Sequence, residues 1–247
     1  MSRFYRARKK PGEKSSNIII HQLYENAVIP PPQLDFWRLV SIDPGKVNLA
    51  FRIEKRYPDG RLEVEVFEKI NINNIDIVDS GGGTSFKDEN LYFKAINFLN
   101  NYYQFFMMTN IIIIERQILP NYDMIRLCQH FITYFSLLLK NAPLKPILLE
   151  VEPGFKNRFF HMPKGANAHF WVTEKALEIL RLRKDEKSIE IIQSHKGRRD
   201  KKDDLSVTIV QVEAVLQSLQ WAASYPLEPP EFIFEIEEPR FIINISK

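Results

Sequence analysis

Two carboxylates stand where apolar runs end, a position suited to chemistry. Asp43 closes the run at residues 36–43 and is followed by Pro44 and Gly45, whereas Glu115 directly follows four isoleucines. Strand ends in an α/β sheet form ligand sites, so acids far apart in sequence converge there. Converging carboxylates need a counter-charge, and two divalent cations about 4 Å apart would supply it while activating water against a phosphodiester. The two acids therefore predict metal-dependent phosphodiester hydrolysis.

A second acidic feature lies near the C-terminal end of the chain. Asp203 and Asp204 begin a segment, 203–223, whose apolar side chains follow helical spacing. The residues around them are basic: Lys196, Arg198, Arg199, Lys201 and Lys202. Beside a hydrolytic centre, such cations favour phosphate contacts, which give salt-dependent affinity without base specificity. The net charge is only +3, so this local bunching is what indicates a polyanionic substrate.

The residue types also restrict the metal. Cys128 is the single cysteine, which excludes an internal disulfide and a multi-cysteine zinc cluster. The five histidines lack the paired spacing of a histidine metal site. Oxygen ligands remain, and they predict Mg²⁺ with Mn²⁺ as a substitute.

Each of these features also has a purely structural interpretation. Asp43 with Pro44 and Gly45 is typical of a turn, and Glu115 after four isoleucines needs a charged partner, for which Arg116 is the nearest candidate. Acids in the first turn of a helix are favoured by its dipole whatever the function. The aromatic residues Phe155, Phe159 and Phe160 either stack on unpaired bases or anchor their segment to the core, and anchoring is the commoner role.

The elements that position these residues follow from the hydrophobic pattern. Strands are predicted at 36–43, 47–56 and 61–70, joined as an antiparallel start, and further strands at 111–115 and 145–151. Helices are predicted at 88–107, 120–140, 169–183 and 203–223, with a basic aromatic loop around Lys156 and Arg158. This order predicts an α/β domain over 36–223. Residues 1–30 are expected to form a basic disordered arm and 226–247 a C-terminal extension.

Four segments resemble the motifs of one nuclease family, and they follow one another along the chain in the order that the family shows. Residues 41–48 resemble the first motif of RuvC-type Holliday junction resolvases and 113–117 the second. Residues 201–205 look like the last motif in its poxvirus-type and yeast mitochondrial form, and 151–156 like the segment that places a lysine near the scissile phosphate. Each motif alone is weak, but their order and placement on the expected elements are specific.

The resemblance implies a fold and an activity. The fold would be RNase H-like, with a mixed five-stranded sheet, its first three strands antiparallel, and helices on both faces. The activity would be magnesium-dependent cleavage of four-way DNA junctions by a homodimer. Its metal ligands would be Asp43, Glu115 and Asp204, with Lys156 at the scissile phosphate. DNA contacts are expected from Lys46, Asn48, Arg116, Arg158 and the basic residues around Asp203.

One position departs from that pattern. The family places another acid three residues after the position of Asp204, where this chain has Val207, and Asp203 or Asp200 is the candidate substitute. The departure keeps two rival functions open: another RNase H-like nuclease, acting on RNA–DNA hybrids or related to transposases, and a non-catalytic binder of branched DNA. No apolar run is long enough to span a bilayer, so the protein is expected to be soluble and intracellular, at the site of viral DNA replication if its source is viral.

Overall fold

A single six-stranded sheet forms the centre of the computed structural model, which describes residues 18–21, 35–75, 91–144, 146–195 and 202–219. The strands are β1 (Ile18–His21), β2 (Trp37–Asp43), β3 (Leu49–Arg56), β4 (Leu62–Ile70), β5 (Ile111–Glu115) and β6 (Ile147–Val151), in the spatial order β1-β6-β5-β2-β3-β4. Strands β2, β3 and β4 are antiparallel neighbours, as predicted. Strand β5 lies between β2 and β6 and is parallel to both.

The isoleucines of β5 show why the centre of the sheet is covered on both faces. Ile112 and Ile114 pack into a core cluster with the helices of one face, and Ile111 and Ile113 pack into a cluster on the other. Successive strand side chains point to opposite faces, so a run of four β-branched residues fits only a strand buried on both sides.

Seven helices of the described residues flank the sheet. They are α1 (Leu91–Asn100), α2 (Tyr103–Met107), α3 (Tyr122–Leu138), α4 (Phe155–Phe159), α5 (Ala168–Arg183), α6 (Glu186–Ser194) and α7 (Lys202–Ser218). Helices α1 to α3 supply the core of one face, and α4 to α7 that of the other. The predicted layer arrangement is therefore confirmed. Within the described ranges, no helix is both long and apolar enough to cross a membrane.

Several predicted elements differ from those observed. A sixth strand, β1, pairs with the β6 edge inside the segment predicted to be a disordered arm, so that prediction is wrong for 18–21. The helix predicted at 88–107 is broken near Asn100 and Asn101, residues of low helix propensity. The loop predicted around Lys156 is the short helix α4, because Phe155 and Phe159 turn into the core. Helix α6 was not predicted. The C-terminal extension and Asp200 lie outside the described residues.

A buried network of charged side chains joins β3 to α6 and α7. Glu54 accepts hydrogen bonds from Arg52 and Arg56 at 2.6 Å each. Arg56 also reaches Glu213 of α7 at 2.7 Å, and Arg52 reaches Asp185, the N-cap residue of α6, at 3.1 Å. Burial alone would raise the pKa of Glu54, but the guanidinium groups of Arg56 and Arg52 outweigh it and lower the pKa to about 2. These side chains are therefore ionised, and their ion pairs hold α6 and α7 against β3.

Candidate active site

Asp43 and Glu115 stand at the same ends of two neighbouring parallel strands. The last paired residues of β2 and β5 are Ile42 and Ile114, and the two acids follow them directly. Adjacent strands are about 4.8 Å apart, and residues in equivalent register point to the same face. The acids therefore face the α4 to α7 side of the sheet next to one another, although 71 intervening residues separate them in sequence.

The turn after Asp43 depends on Gly45. A Cβ atom at this position would lie 2.6 Å from the backbone oxygen of Asn48, which leaves no room for any side chain. The tight turn holds Lys46 and Asn48 at the rim of the acid site. The segment that forms this turn also lines the pocket, so the interpretation of Asp43 as a turn residue does not exclude a functional role for it.

Lys156 is the ion-pair partner of Glu115. Its Nζ lies 2.5 Å from Glu115 Oε2 and donates a second hydrogen bond to the Pro153 carbonyl at 2.9 Å. Both partners are almost inaccessible, with Lys156 6% and Glu115 8% exposed. The alternative that Arg116 neutralises Glu115 is therefore wrong. The short helix α4 places the side chain of Lys156 against Glu115.

Asp203 and Asp204 approach from the first turn of α7, on the same side of the sheet. They share one pocket of about 490 Å³ with Asp43, Glu115 and Lys156. The structure thus brings together all five residues predicted to be catalytic or metal-binding, from β2, β5, α4 and α7. Val207, one turn further along α7, lines the same pocket with an apolar side chain.

The pocket is short of positive charge. Burial raises the pKa of Asp43 well above its ordinary range, the Glu115 carboxylate raises it further, and Lys156 opposes both; Asp204 and Asp203 add smaller increases. Burial also raises the pKa of Glu115, although the ammonium of Lys156 draws it back. Four carboxylates face the buried ammonium of Lys156, and this excess of negative charge disfavours full ionisation, which a bound cation would relieve.

The donor chemistry fits a hard divalent cation. Mg²⁺ and Mn²⁺ prefer carboxylate oxygens, and the acids of the pocket supply them. In this conformation, no three Asp, Glu, His or Cys side chains of the described residues lie close enough to enclose an ion. Glu115 is engaged by Lys156, whose buried ammonium supplies positive charge next to the acids, while the exposed Lys46 lies at the edge of the same pocket.

The predicted DNA contacts are only partly placed at this pocket. Lys46 and Asn48 line it, and Lys46 lies 3.7 Å from Asp123 in an exposed ion pair. Arg158 is exposed and pairs with Glu152 at 2.7 Å, and Arg116 is half-buried; neither lines the pocket. Lys202 begins α7 and is exposed. The predicted contacts Lys196, Arg198, Arg199 and Lys201 lie outside the described residues.

The aromatic residues beside Lys156 anchor α4. Phe155 and Phe159 are buried, 3% and 4% exposed, and pack against the sheet and α7. Phe160 is half-buried and contacts the same cluster. Anchoring is therefore their role here, and the base-stacking interpretation is wrong for Phe155 and Phe159.

His169 is a site residue that the sequence did not reveal. It lies in the first turn of α5, lines the pocket, and its Nδ1 is 2.6 Å from Asp203 Oδ2. Gln117, Asn121 and Asn157 add neutral polar groups to the same wall. A lone histidine carries no spacing signal, and the only local indication was Asn167, whose side chain caps α5 by accepting from the amides of His169 and Phe170.

No family model and no curated protein sequence matches the chain. Solved structures are similar to it. The yeast mitochondrial Holliday junction resolvase Ydc2 aligns with a TM-score of 0.54 at 16% identity, over 78% of this chain and 81% of that one. RuvC of Thermus thermophilus aligns with a TM-score of 0.46 at 12% identity, over 74% and 96%. The same protein in complex with its Holliday junction substrate aligns with a TM-score of 0.43 at 9% identity, over 71% of this chain and 92% of that one. With the sheet order and the two helical layers, the similarity to the yeast resolvase shows that this chain has the RNase H-like α/β fold that its sequence predicts.

Proposed function

We propose that this protein is a divalent-cation-dependent endonuclease that cuts DNA at four-way junctions. The observation that carries the proposal is the convergence of Asp43, Glu115, Asp204 and Lys156 in one pocket on this fold. Buried and partly buried carboxylates gathered around the ammonium of Lys156 are unfavourable for stability alone, which is typical of a functional site. The yeast protein that shares this fold is a Holliday junction resolvase, which supports the choice of substrate.

The side chains divide the chemistry between them. Asp43, Glu115 and Asp204 would hold the cation, for which Mg²⁺ is the proposed ion and Mn²⁺ the substitute. When bound, such ions supply an activated water and neutralise the leaving oxygen. Lys156 would donate a hydrogen bond to the scissile phosphate. A phosphate in the pocket gives its ammonium a second anionic partner and so releases part of the Glu115 carboxylate for metal binding.

The rim of the pocket fits a backbone-reading role. Lys46 is half-exposed at the pocket and lies 3.7 Å from an exposed aspartate, so its ammonium can turn to a phosphate at little cost. Together with Asn48, Lys202 and the basic residues at 196–201, it would bind DNA through phosphates, and shape would then decide which DNA is cut. Arg158 and Arg116, away from the pocket wall, would contact the more distant backbone.

Cutting a four-way junction requires two opposed incisions, so a homodimer is proposed as the acting species. Action on viral DNA is part of the same proposal, since residues 201–205 look like the poxvirus-type motif.

A second candidate function is binding of branched DNA without cleavage. The specific observations in its favour are Val207 in the pocket wall and the closed Lys156–Glu115 pair. It predicts junction affinity that does not depend on divalent ions and no product at any metal concentration.

The deciding experiment is cleavage by the purified full chain of three labelled substrates: a four-way junction, a linear duplex and an RNA–DNA hybrid. We expect Mg²⁺-dependent cutting of the junction, with activity at least 100-fold lower in Asp43→Asn and Glu115→Gln while junction binding persists. Asp35→Asn, an exposed aspartate outside the pocket, is the control. Preferential cutting of the hybrid would instead identify another nuclease of this fold, and binding without cutting would identify the non-catalytic alternative.

A further inference from the structure

The contact between His169 and Asp203 crosses the mouth of the acidic pocket. The imidazole comes from α5 and is 75% exposed, whereas the carboxylate comes from α7 and is 15% exposed. Both side chains line the pocket that holds Asp43 and Asp204. The contact therefore joins a nitrogen base to the acid cluster, on the side of the pocket that faces solvent.

The carboxylate of Asp203 selects one form of the imidazole. An ionised carboxylate only accepts hydrogen bonds, so Nδ1 carries the hydrogen that it donates to Oδ2 at 2.6 Å. Nε2 then keeps its lone pair, and the described residues give that atom no hydrogen-bond partner. Histidines that bind metals in proteins almost always donate their other ring N–H to a carboxylate or carbonyl in this way. The pair thus has the form of a ligand and its orienting acid.

The metal-binding atoms that the pocket can offer also point to His169. The Glu115 carboxylate is engaged by Lys156, and Asp203 by the imidazole. Val207 contributes no polar atom to the wall that it occupies. A cation bound beside Asp43 and Asp204 would gain a further donor from the exposed imidazole of His169, which lines the same pocket.

We infer that His169 binds the divalent cation of this site through Nε2, and that Asp203 orients the ring instead of binding the metal directly. The inference rests on the proposed function for the existence of the cation. A nitrogen ligand changes which ions the site prefers. Carboxylates suit Mg²⁺ and Mn²⁺ alike, but an imidazole favours ions further along the first transition row. The site should accordingly bind Co²⁺ and Mn²⁺ more tightly than Mg²⁺, and the difference should depend on His169.

Metal binding by the full-length protein without DNA tests this independently of cleavage. Co²⁺ is titrated into wild type, His169→Ala, Asp203→Asn and the control His130→Ala, with visible absorption and calorimetry as readouts. His130 is exposed on α3, stacks on Tyr92 and does not line the pocket. We expect His169→Ala to lower Co²⁺ affinity at least 10-fold and to change the absorption band, Asp203→Asn to lower the affinity about 10-fold, and His130→Ala to change neither. Mg²⁺ affinity should fall less than that for Co²⁺.

Two results would overturn the inference and are distinguishable from each other. If wild type binds Co²⁺ and His169→Ala binds it with the same affinity and spectrum, the histidine is not a ligand, and the proposed nuclease function still stands. If wild type binds neither Co²⁺, Mn²⁺ nor Mg²⁺, the inference and the metal-dependent function fail together. His169→Ala and Asp203→Asn change exposed or partly exposed side chains, so circular dichroism should show that both variants are folded.

Discussion

Lys156 and Glu115 form a nearly inaccessible ion pair, 2.5 Å between Nζ and Oε2, at the centre of the acid pocket. The pair links the short helix α4 to the end of the central strand β5. It has two consequences. The pair supplies the site with positive charge, and it makes the position of the lysine dependent on the carboxylate that a cation would also use.

The first prediction concerns the stability of this pair. Removing one partner leaves a buried charge without compensation and costs about 3–5 kcal/mol, whereas removing both is close to neutral. Glu115→Gln and Lys156→Met should therefore each destabilise the protein, and the double variant should be less destabilised than the two single changes predict. Urea unfolding of the four proteins measures the coupling. The exposed pair Asp59 and Arg61 is the matched control, and its coupling should be far smaller than that of the buried pair because solvent screens both charges. Additive effects at Glu115 and Lys156 would contradict the buried pairing.

The second prediction concerns the pH dependence of stability at Asp43. Its pKa in the folded protein is raised above the ordinary 3.8 by burial and by neighbouring carboxylates, so ionisation is more costly in the folded than in the unfolded chain. Below 3.8 both states are protonated and there is no penalty, and stability falls as pH rises through the folded-state pKa. In EDTA at pH 7, Asp43→Asn should therefore melt a few degrees higher than wild type, with the difference disappearing below pH 3.8.

Thermal unfolding with and without Mg²⁺ checks this prediction. A cation bound by the folded state alone should raise the melting temperature of wild type and not that of Asp43→Asn. Asp35→Asn should behave as wild type at every pH. A lower melting temperature for Asp43→Asn in EDTA would show that this carboxylate stabilises the fold.

The placement of Asp43 and Glu115 could be predicted from sequence because it depends on local patterns. A run of β-branched residues defines a buried strand, and the residue after it must lie at the edge of the sheet. By contrast, the partner of Glu115 depends on how α4 packs. Phe155 and Phe159 bury their rings and thereby turn Lys156 inward, which no spacing of basic residues reveals.

The charged face of β3 shows a second limit. Arg52 and Glu54 alternate with Phe51 and Ile53, the pattern of a strand with one face in water, and Arg56 follows at the next alternate position. The structure buries all three beneath α6 and α7, because Asp185 and Glu213 complete their pairing. Complementary charges 133 or more residues away in sequence leave no local trace, so neither the network nor His169 could be expected.

The third prediction concerns Glu54 in this network. Its pKa is lowered from 4.5 to about 2, so the stability that it contributes is present above pH 4.5 and is lost as pH falls through about 2. Glu54→Gln leaves Arg52 and Arg56 short of one carboxylate and should destabilise the protein by about 3–5 kcal/mol at pH 7. Urea unfolding at pH 7 and pH 2.5 should show this difference shrinking in acid. Glu63→Gln on β4, an exposed member of a separate ion pair, should cost less than about 1 kcal/mol.

The fourth prediction concerns the apolar position in the pocket wall. Val207 lies one helical turn after Asp204 and is partly buried in the pocket, so an aspartate there would add a carboxylate next to the existing acids. Without metal, Val207→Asp should lower the melting temperature, because a further negative charge enters a pocket already short of positive charge. With Mg²⁺ the loss should be reversed, since binding to the folded state stabilises by mass action. Calorimetry should show Mg²⁺ affinity at least 10-fold higher than in wild type, and junction cleavage should begin at a lower Mg²⁺ concentration.

Val207→Asn separates the effect of charge from that of polarity: it should lose stability without gaining affinity for the ion. Equal Mg²⁺ binding by the two variants would mean that Val207 does not face the cation and that the metal is held elsewhere in the pocket.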